Sequence, residues 1–282
     1  MRIVQPSVIS FALLMLLAGF SQAGVNQDLY GPYQKILDQF LTEKSLSGDG
    51  LVSAFDYEAA INHGETAHRL SDQRVTLAGF DLSSLEDRGE SVAFWINAYN
   101  FFMLDQILTE KPDGTLVSSV WDYGGRINPF VNSVFEHKNL VIDGQKFSLS
   151  QIEKDILLGD EYTEKGWKDA RVHFAVNCAS VGCPPLRSEV YTADNLEDLL
   201  AENTRRAFAT NRHLKAEGAT LRVTELFKWY EKDFEEASGS REAFIEKWAS
   251  PSVADRVAET SEMKFIDYDW ALNNPANFSE FR

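Results

Sequence analysis

The segment Ser91–Leu108 constrains the fold of this chain more than any other. It reads SVAFWINAYNFFMLDQIL, and at about 100° per residue its apolar side chains cover every face of a helix instead of one stripe. A helix of this kind has to be enclosed by the rest of the chain. The sequence therefore predicts a buried central helix. Four polar residues interrupt the segment and argue against an integral membrane span: Asn97, Asn100, Asp105 and Gln106.

The two asparagines of this segment are the first candidate binding residues. Asn97 and Asn100 are three positions apart and therefore lie on one side of the helix. A buried amide without hydrogen-bond partners costs about 1–3 kcal/mol, so each is expected to have specific partners. Two interpretations remain open. The amides fasten a neighbouring loop to the helix, or they line a polar pocket.

Helical spacing also predicts most of the other elements. Tyr30–Leu41 and Ala193–Thr210 have the helical pattern, and Tyr57–Ala78 is predicted to form two helices. Short strands are predicted at a hairpin around Asp143-Gly144, at a second hairpin around Gly218, and near the C-terminus. Because helices dominate and the strands are short, we expect an α+β fold: a mainly helical single domain with a small, largely antiparallel sheet.

The stretch Arg171–Leu186, RVHFAVNCASVGCPPL, holds both cysteines of the chain and its best-placed histidine. Its alternation of apolar and other residues up to Asn177 predicts a strand that ends in a loop. Cys178 and Cys183 are five positions apart, so a disulfide between them would close a short loop and contribute about 2 kcal/mol. In an oxidising compartment two neighbouring cysteines usually pair. We therefore expect a structural disulfide.

A catalytic thiolate is the alternative interpretation of the same stretch. Either Cys178 or Cys183 would be activated by His173, as in thiol-dependent hydrolases and acyltransferases. Because strand parity places His173 and Cys178 on opposite faces, a dyad with Cys178 requires the strand to end or bulge at Asn177. The candidate catalytic residues are thus His173, Cys178 and Cys183, and the candidate binding residues are Asn97, Asn100, Asn177, Ser180 and Asp269.

Other side chains carry weaker signals. His213 lies beside Arg212, where exposure at the surface is the ordinary expectation, and the aromatic residues of Phe227–Phe234 are expected in the core. The acidic and aromatic run Asp267–Trp270 either locks a terminal strand into the core, which we favour, or binds a sugar or cation. Two cysteines and one histidine give only three metal ligands, and a glycine-rich phosphate loop is absent, so neither a metal nor a cofactor is predicted.

Five ordered segments of the chain resemble the domain-of-unknown-function 547 family. The resemblance extends over about residues 51–273 and implies a family without an established reaction, so it supplies positions but no roles. The segments are Phe94–Asn100, Asp143–Glu153, Arg171–Leu186, Phe227–Phe234 and Tyr268–Asn273.

The N-terminus predicts export. Arg2 is followed by the apolar run Ile9–Phe20 and by Ser21-Gln22-Ala23, the pattern of a signal peptide cleaved after Ala23. Residues 24–282 would then form one globular domain in the periplasm or outside the cell. The formal net charge of −16 at pH 7 argues against nucleic acid as a partner.

Two functions therefore remain open from the sequence. The first is an exported domain that binds a small molecule or a protein beside a loop stapled by Cys178 and Cys183. The second is the thiol-dependent enzyme. They differ in the redox state that they require of the two cysteines.

Overall fold

The computed structural model describes residues 28–124 and 133–282, so the predicted leader peptide lies outside the described residues. The described part contains ten α-helices and seven short strands, which confirms the mainly helical α+β fold. The helices are Gly31–Phe40, Tyr57–Asn62, Thr66–Ala78, Arg88–Thr109, Asp160–Glu164, Leu196–Phe208, Leu226–Trp229, Glu231–Ser238, Arg241–Trp248 and Pro251–Ala258. The strands are β1 (Leu41–Ser45), β2 (Leu51–Phe55), β3 (Leu140–Ile142), β4 (Gln145–Phe147), β5 (Leu214–Glu217), β6 (Thr220–Thr224) and β7 (Glu262–Ile266).

The helix Arg88–Thr109 is the predicted central helix. The side chain of Asp87 caps its start by accepting a hydrogen bond from the Glu90 backbone N–H. Every residue of Ser91–Leu108 is buried, as the apolar pattern on all faces requires. Among the described residues, no helix combines the length and the apolar composition that crossing a membrane would need.

The strands form three small sheets. β1 pairs with β2 and β3 with β4, both antiparallel, and β6 pairs antiparallel with β5 and parallel with β7. The turn between β3 and β4 has φ values of 51° at Asp143 and 65° at Gly144, the positive pair that a type I′ turn needs. β7 can lie parallel to β6 because four helices between them return the chain to the same end of the sheet.

The strand predicted over Arg171–Asn177 is wrong. Residues Ala170–Phe174 form a 3₁₀-helix, whose start is capped by the Asp169 side chain. This segment runs between two hydrophobic clusters: Val172 and Val176 pack into the larger one and Phe174 into the smaller. The alternation of apolar residues therefore reflects two cores on opposite sides of a helical turn. Because this segment is not a strand, strand parity does not determine the relative orientation of His173 and Cys178.

Candidate functional site

Cys178 and Cys183 form the expected disulfide, with their Cα atoms 6.3 Å apart. The loop between them lies against the C-terminal segment. The backbone N–H of Gly182 donates to the carbonyl of Asp269 at 2.8 Å. A Cβ at Gly182 would lie 2.8 Å from the Tyr268 ring, so this close approach requires a glycine.

A cavity of about 360 Å³ opens beside the disulfide, within the size range of small-molecule sites. Both cysteines and His173 line it, so the structure brings the three candidate catalytic residues to one cavity. The other walls come from segments that are distant in sequence. These are the central helix through Tyr99, residues 133–136, residues 150–154, the helix Leu226–Trp229 with Tyr230, and the segment of Tyr268 and Trp270.

Tryptophan and tyrosine rings form one wall of this cavity. The centre of the Trp270 ring lies 5.0 Å from that of Trp121, 5.7 Å from that of Trp229 and 4.5 Å from that of Tyr268. Trp229 is 42% exposed, so its prediction as a core residue is wrong. The rings pack on one another, and all four residues line the cavity. The run that ends at Trp270 therefore contributes both to packing and to the cavity wall.

The polar part of the cavity centres on His173 and Glu153. The His173 side chain is 0% exposed, and its Nε2 lies 2.9 Å from Oδ2 of Asp233. Lys168 Nζ lies 2.7 Å from Oδ1 of the same carboxylate. On the other side of the ring, Nδ1 lies 3.7 Å from Oε1 of Glu153, which is longer than a hydrogen bond. The Tyr230 ring stacks on the imidazole, with the two ring centres 3.9 Å apart.

These contacts decide the charges in the cluster. Burial alone would lower the pKa of His173, but its interactions with Asp233 and Glu153 outweigh burial and raise it. Burial would likewise raise the pKa of Glu153, but interactions with His173 and Tyr230 lower it instead. These shifts favour the ionised carboxylate of Glu153 in the cavity wall and the protonated form of His173 behind it. In the described ranges 28–124 and 133–282, no group of three or more His, Cys, Asp or Glu side chains is arranged to hold a metal ion.

Asn97 and Asn100 do what the first interpretation expects. Asn97 Nδ2 donates to the Tyr191 carbonyl at 2.7 Å, and its Oδ1 accepts from the Tyr191 N–H at 2.9 Å. Asn100 Nδ2 donates to the Ala175 carbonyl at 2.9 Å, and its Oδ1 accepts from the Asn177 N–H at 2.8 Å. The two amides fasten flanking segments to the central helix, and the cavity beside the disulfide is lined by other residues.

The remaining binding candidates lie around the loop that Cys178 and Cys183 close, outside the walls of the cavity beside the disulfide. Asn177 and Ser180 border a void of only about 10 Å³. Asp269 lies in a separate cleft, and its side chain accepts from the Ala271 N–H at 3.0 Å. His213, which we expected at the surface, is 2% exposed and lines the same small void. Burial and the charge of Arg212 lower its pKa to about 3.

Sequence reasoning missed Glu153 and Asp233 as partners of His173. They lie 20 positions before and 60 positions after the histidine, so no local spacing connects them. The only available signal was their position inside two of the five family-like segments, Asp143–Glu153 and Phe227–Phe234.

The fold and the site define an α+β domain with a disulfide-lined aromatic cavity. A family model described as "Protein of unknown function, DUF547" matches residues 82–208. The match confirms the resemblance to this family over residues 82–208, and the matched segment contains Glu153, His173 and both cysteines. Asp233, Tyr268 and Trp270 lie beyond the match. No curated protein and no solved structure matches the chain.

Proposed function

We propose that this chain is an exported domain that binds a small organic ligand in the cavity beside the Cys178–Cys183 disulfide. The observation that carries the proposal is the combination of closely packed indole and phenol rings with Glu153, a carboxyl group of lowered pKa, in one cavity of about 360 Å³. Export rests on the signal peptide predicted from residues 1–23, and a disulfide suits an oxidising compartment.

The lining indicates the chemistry of the ligand. Exposed indole faces, such as that of Trp229, favour a ring with a flat apolar face. Glu153 can accept a hydrogen bond from a hydroxyl or amino group of the ligand. The exposed ammonium of Lys154 adds a donor among the lining residues. A small ring compound with hydroxyl or amino substituents meets these requirements.

The alternative function, a thiol-dependent hydrolase or acyltransferase, is less well supported. Such an enzyme needs a free cysteine with a histidine nitrogen directed at it. Both cysteines are in the disulfide, and the two ring nitrogens of His173 face the carboxylates of Asp233 and Glu153. A reduced form would therefore still lack a base directed at either sulfur.

The binding proposal is tested by screening small ring compounds against the purified protein with ligand-observed NMR and tryptophan fluorescence. Hits should bind at least about tenfold more weakly to Trp229→Ala and Glu153→Gln, because each variant removes one wall contact. Trp248→Ala is the matched control, since Trp248 contacts Arg171 and does not line the cavity. Hits that bind equally well to both cavity variants, or no hits from a broad set of such rings, would contradict the proposal.

A further inference from the structure

Three hydrogen-bond donors converge on the sulfur of Cys183. The backbone N–H of Cys178 donates to it at 3.0 Å, and the hydroxyl oxygens of Ser180 and Tyr268 each lie 3.2 Å from it. The same two hydroxyls also lie 3.3 Å and 3.2 Å from Cys178 Sγ, so the N–H is the donor that distinguishes Cys183 from Cys178. A disulfide sulfur is a weak acceptor and gains little from three donors. A thiolate is an ionised acceptor and gains much more from each of them. The surroundings of Cys183 therefore favour the charged sulfur that appears when the disulfide opens.

Hydrogen bonds also hold the loop between Cys178 and Cys183 in place, independently of the disulfide. The backbone N–H groups of Val181 and Gly182 donate to the carbonyls of Ala271 and Asp269, each at 2.8 Å. The Asn177 side chain donates to the Pro184 carbonyl at 2.8 Å. These bonds hold the loop from both sides. Reduction can therefore occur without releasing the loop from the domain.

The cavity gives access to the disulfide. Both cysteines line it, and Cys178 is partly exposed whereas Cys183 is 6% exposed. An incoming thiol therefore meets Cys178 first. The electrons of the broken bond would then move to Cys183, which accepts the Cys178 N–H and lies within reach of both hydroxyls.

We propose that Cys178–Cys183 is a redox-active disulfide that exchanges with a small thiol admitted through the cavity. The thiolate of the incoming molecule attacks Cys178 Sγ, a mixed disulfide forms there, and Cys183 Sγ leaves as a thiolate held by Tyr268, Ser180 and the Cys178 N–H. A second small thiolate then attacks the ligand sulfur of the mixed disulfide. This releases a small-molecule disulfide and Cys178 as its thiolate, so the protein gains two electrons and the two thiols lose them. The proposal rests on the cavity of the proposed function for access, but not on the identity of the ligand that binds there.

The test is the rate and equilibrium of reduction by glutathione, followed by alkylation of the freed thiols and mass spectrometry. Tyr268→Phe and Ser180→Ala should each slow reduction and shift the equilibrium towards the disulfide by about tenfold, the size expected for one hydrogen bond to a charged group. In the reduced protein the same variants should raise the pKa of the Cys183 thiol, measured from the pH dependence of its alkylation rate. Tyr191→Phe is the matched control, because the buried Tyr191 hydroxyl has no hydrogen-bond partner among the described residues.

Two outcomes would overturn the proposal. One is reduction of both variants at the wild-type rate and equilibrium. The other is global unfolding on reduction, detected by near-ultraviolet circular dichroism, because the bond would then be a structural staple. Ser180→Ala separates this proposal from the binding proposal, since Ser180 does not line the cavity beside the disulfide. A variant that still binds the ring compounds but exchanges like wild type contradicts the redox step alone. Loss of ring binding in Trp229→Ala with unchanged exchange supports both proposals.

Discussion

His173 Nε2 lies 2.9 Å from Oδ2 of Asp233 although the imidazole is enclosed on all sides. An isolated buried imidazole would lose its proton, because burial disfavours the charged form. Asp233 and Glu153 reverse that preference and raise the pKa of His173. The charge on the histidine in turn keeps the cavity carboxylate ionised. The lowered pKa of Glu153 thus depends indirectly on the contact between His173 and Asp233, on the opposite side of the imidazole ring.

Asp233→Asn should lower the pKa of His173, because the amide removes the charge that offsets burial. NMR titration of the imidazole resonances measures the change. The matched control is Asp72→Asn, which removes the carboxylate beside the exposed His68 and should leave the His173 resonances unchanged. An unchanged pKa of His173 in Asp233→Asn would show that Asp233 does not stabilise the protonated imidazole.

His213 should make the domain sensitive to acid. Its pKa is lowered to about 3 in the fold, first by burial, whereas the unfolded chain takes up a proton near its ordinary value of 6.5. Between these values the unfolded state binds more protons, so stability falls by up to about 1.4 kcal/mol per pH unit as pH drops. Urea unfolding of His213→Gln should therefore show a shallower loss of stability from pH 6.5 to pH 4.5 than wild type. Parallel profiles for the two proteins would contradict this assignment.

Asn100→Ala should reduce the free energy of unfolding by roughly 2–5 kcal/mol, because the Ala175 carbonyl and the Asn177 N–H both lose their partner inside the protein. Urea denaturation at neutral pH measures the loss. Asn62→Ala is the control, since this exposed side chain bonds only to its own helix and should change stability by no more than about 0.5 kcal/mol. Similar losses of unfolding free energy in both variants would mean that the hydrogen bonds of the buried Asn100 amide do not contribute more to stability than those of an exposed one.

The double variant Cys178→Ser/Cys183→Ser should remain folded and lose about 2 kcal/mol of unfolding free energy, the chain-entropy contribution of so short a loop. Thermal and urea denaturation of the variant and of the wild type, without reductant, give the difference. The small loss is expected because the loop keeps its backbone bonds to Asp269 and Ala271. Failure of the variant to fold would show that those backbone hydrogen bonds cannot hold the loop in place without the disulfide.

The elements that sequence reasoning predicted well are those that local patterns determine. The buried helix over Ser91–Leu108 follows from apolar residues on every face. The β3–β4 turn follows from Asp143-Gly144, whose positive φ values this turn needs. In each case a few consecutive residues contain the whole physical cause.

The incorrect predictions concern residues whose burial depends on contacts with distant parts of the chain. His213 is enclosed although its neighbour Arg212 reaches outward to pair with Glu280. Trp229 lies at the surface of the cavity because Trp270 and Tyr268 pack against it, and nothing near Trp229 in sequence indicates that contact. The cluster around His173 has the same origin. A site assembled from several segments has no period or spacing for sequence reasoning to detect.

Residues 268–273 come late in the chain, but the cavity beside the disulfide depends on them. Tyr268 and Trp270 complete the aromatic wall, Ser180 bridges to Leu272, and Asn273 donates to the Ala179 carbonyl at 3.0 Å. The middle of the chain therefore cannot assemble its cavity until this late segment has been synthesised and has docked. A growing or truncated chain that stops before Asp267 has the cysteines but not the wall that faces them. On the proposed function, ligand binding would therefore require residues 268–273 to be in place.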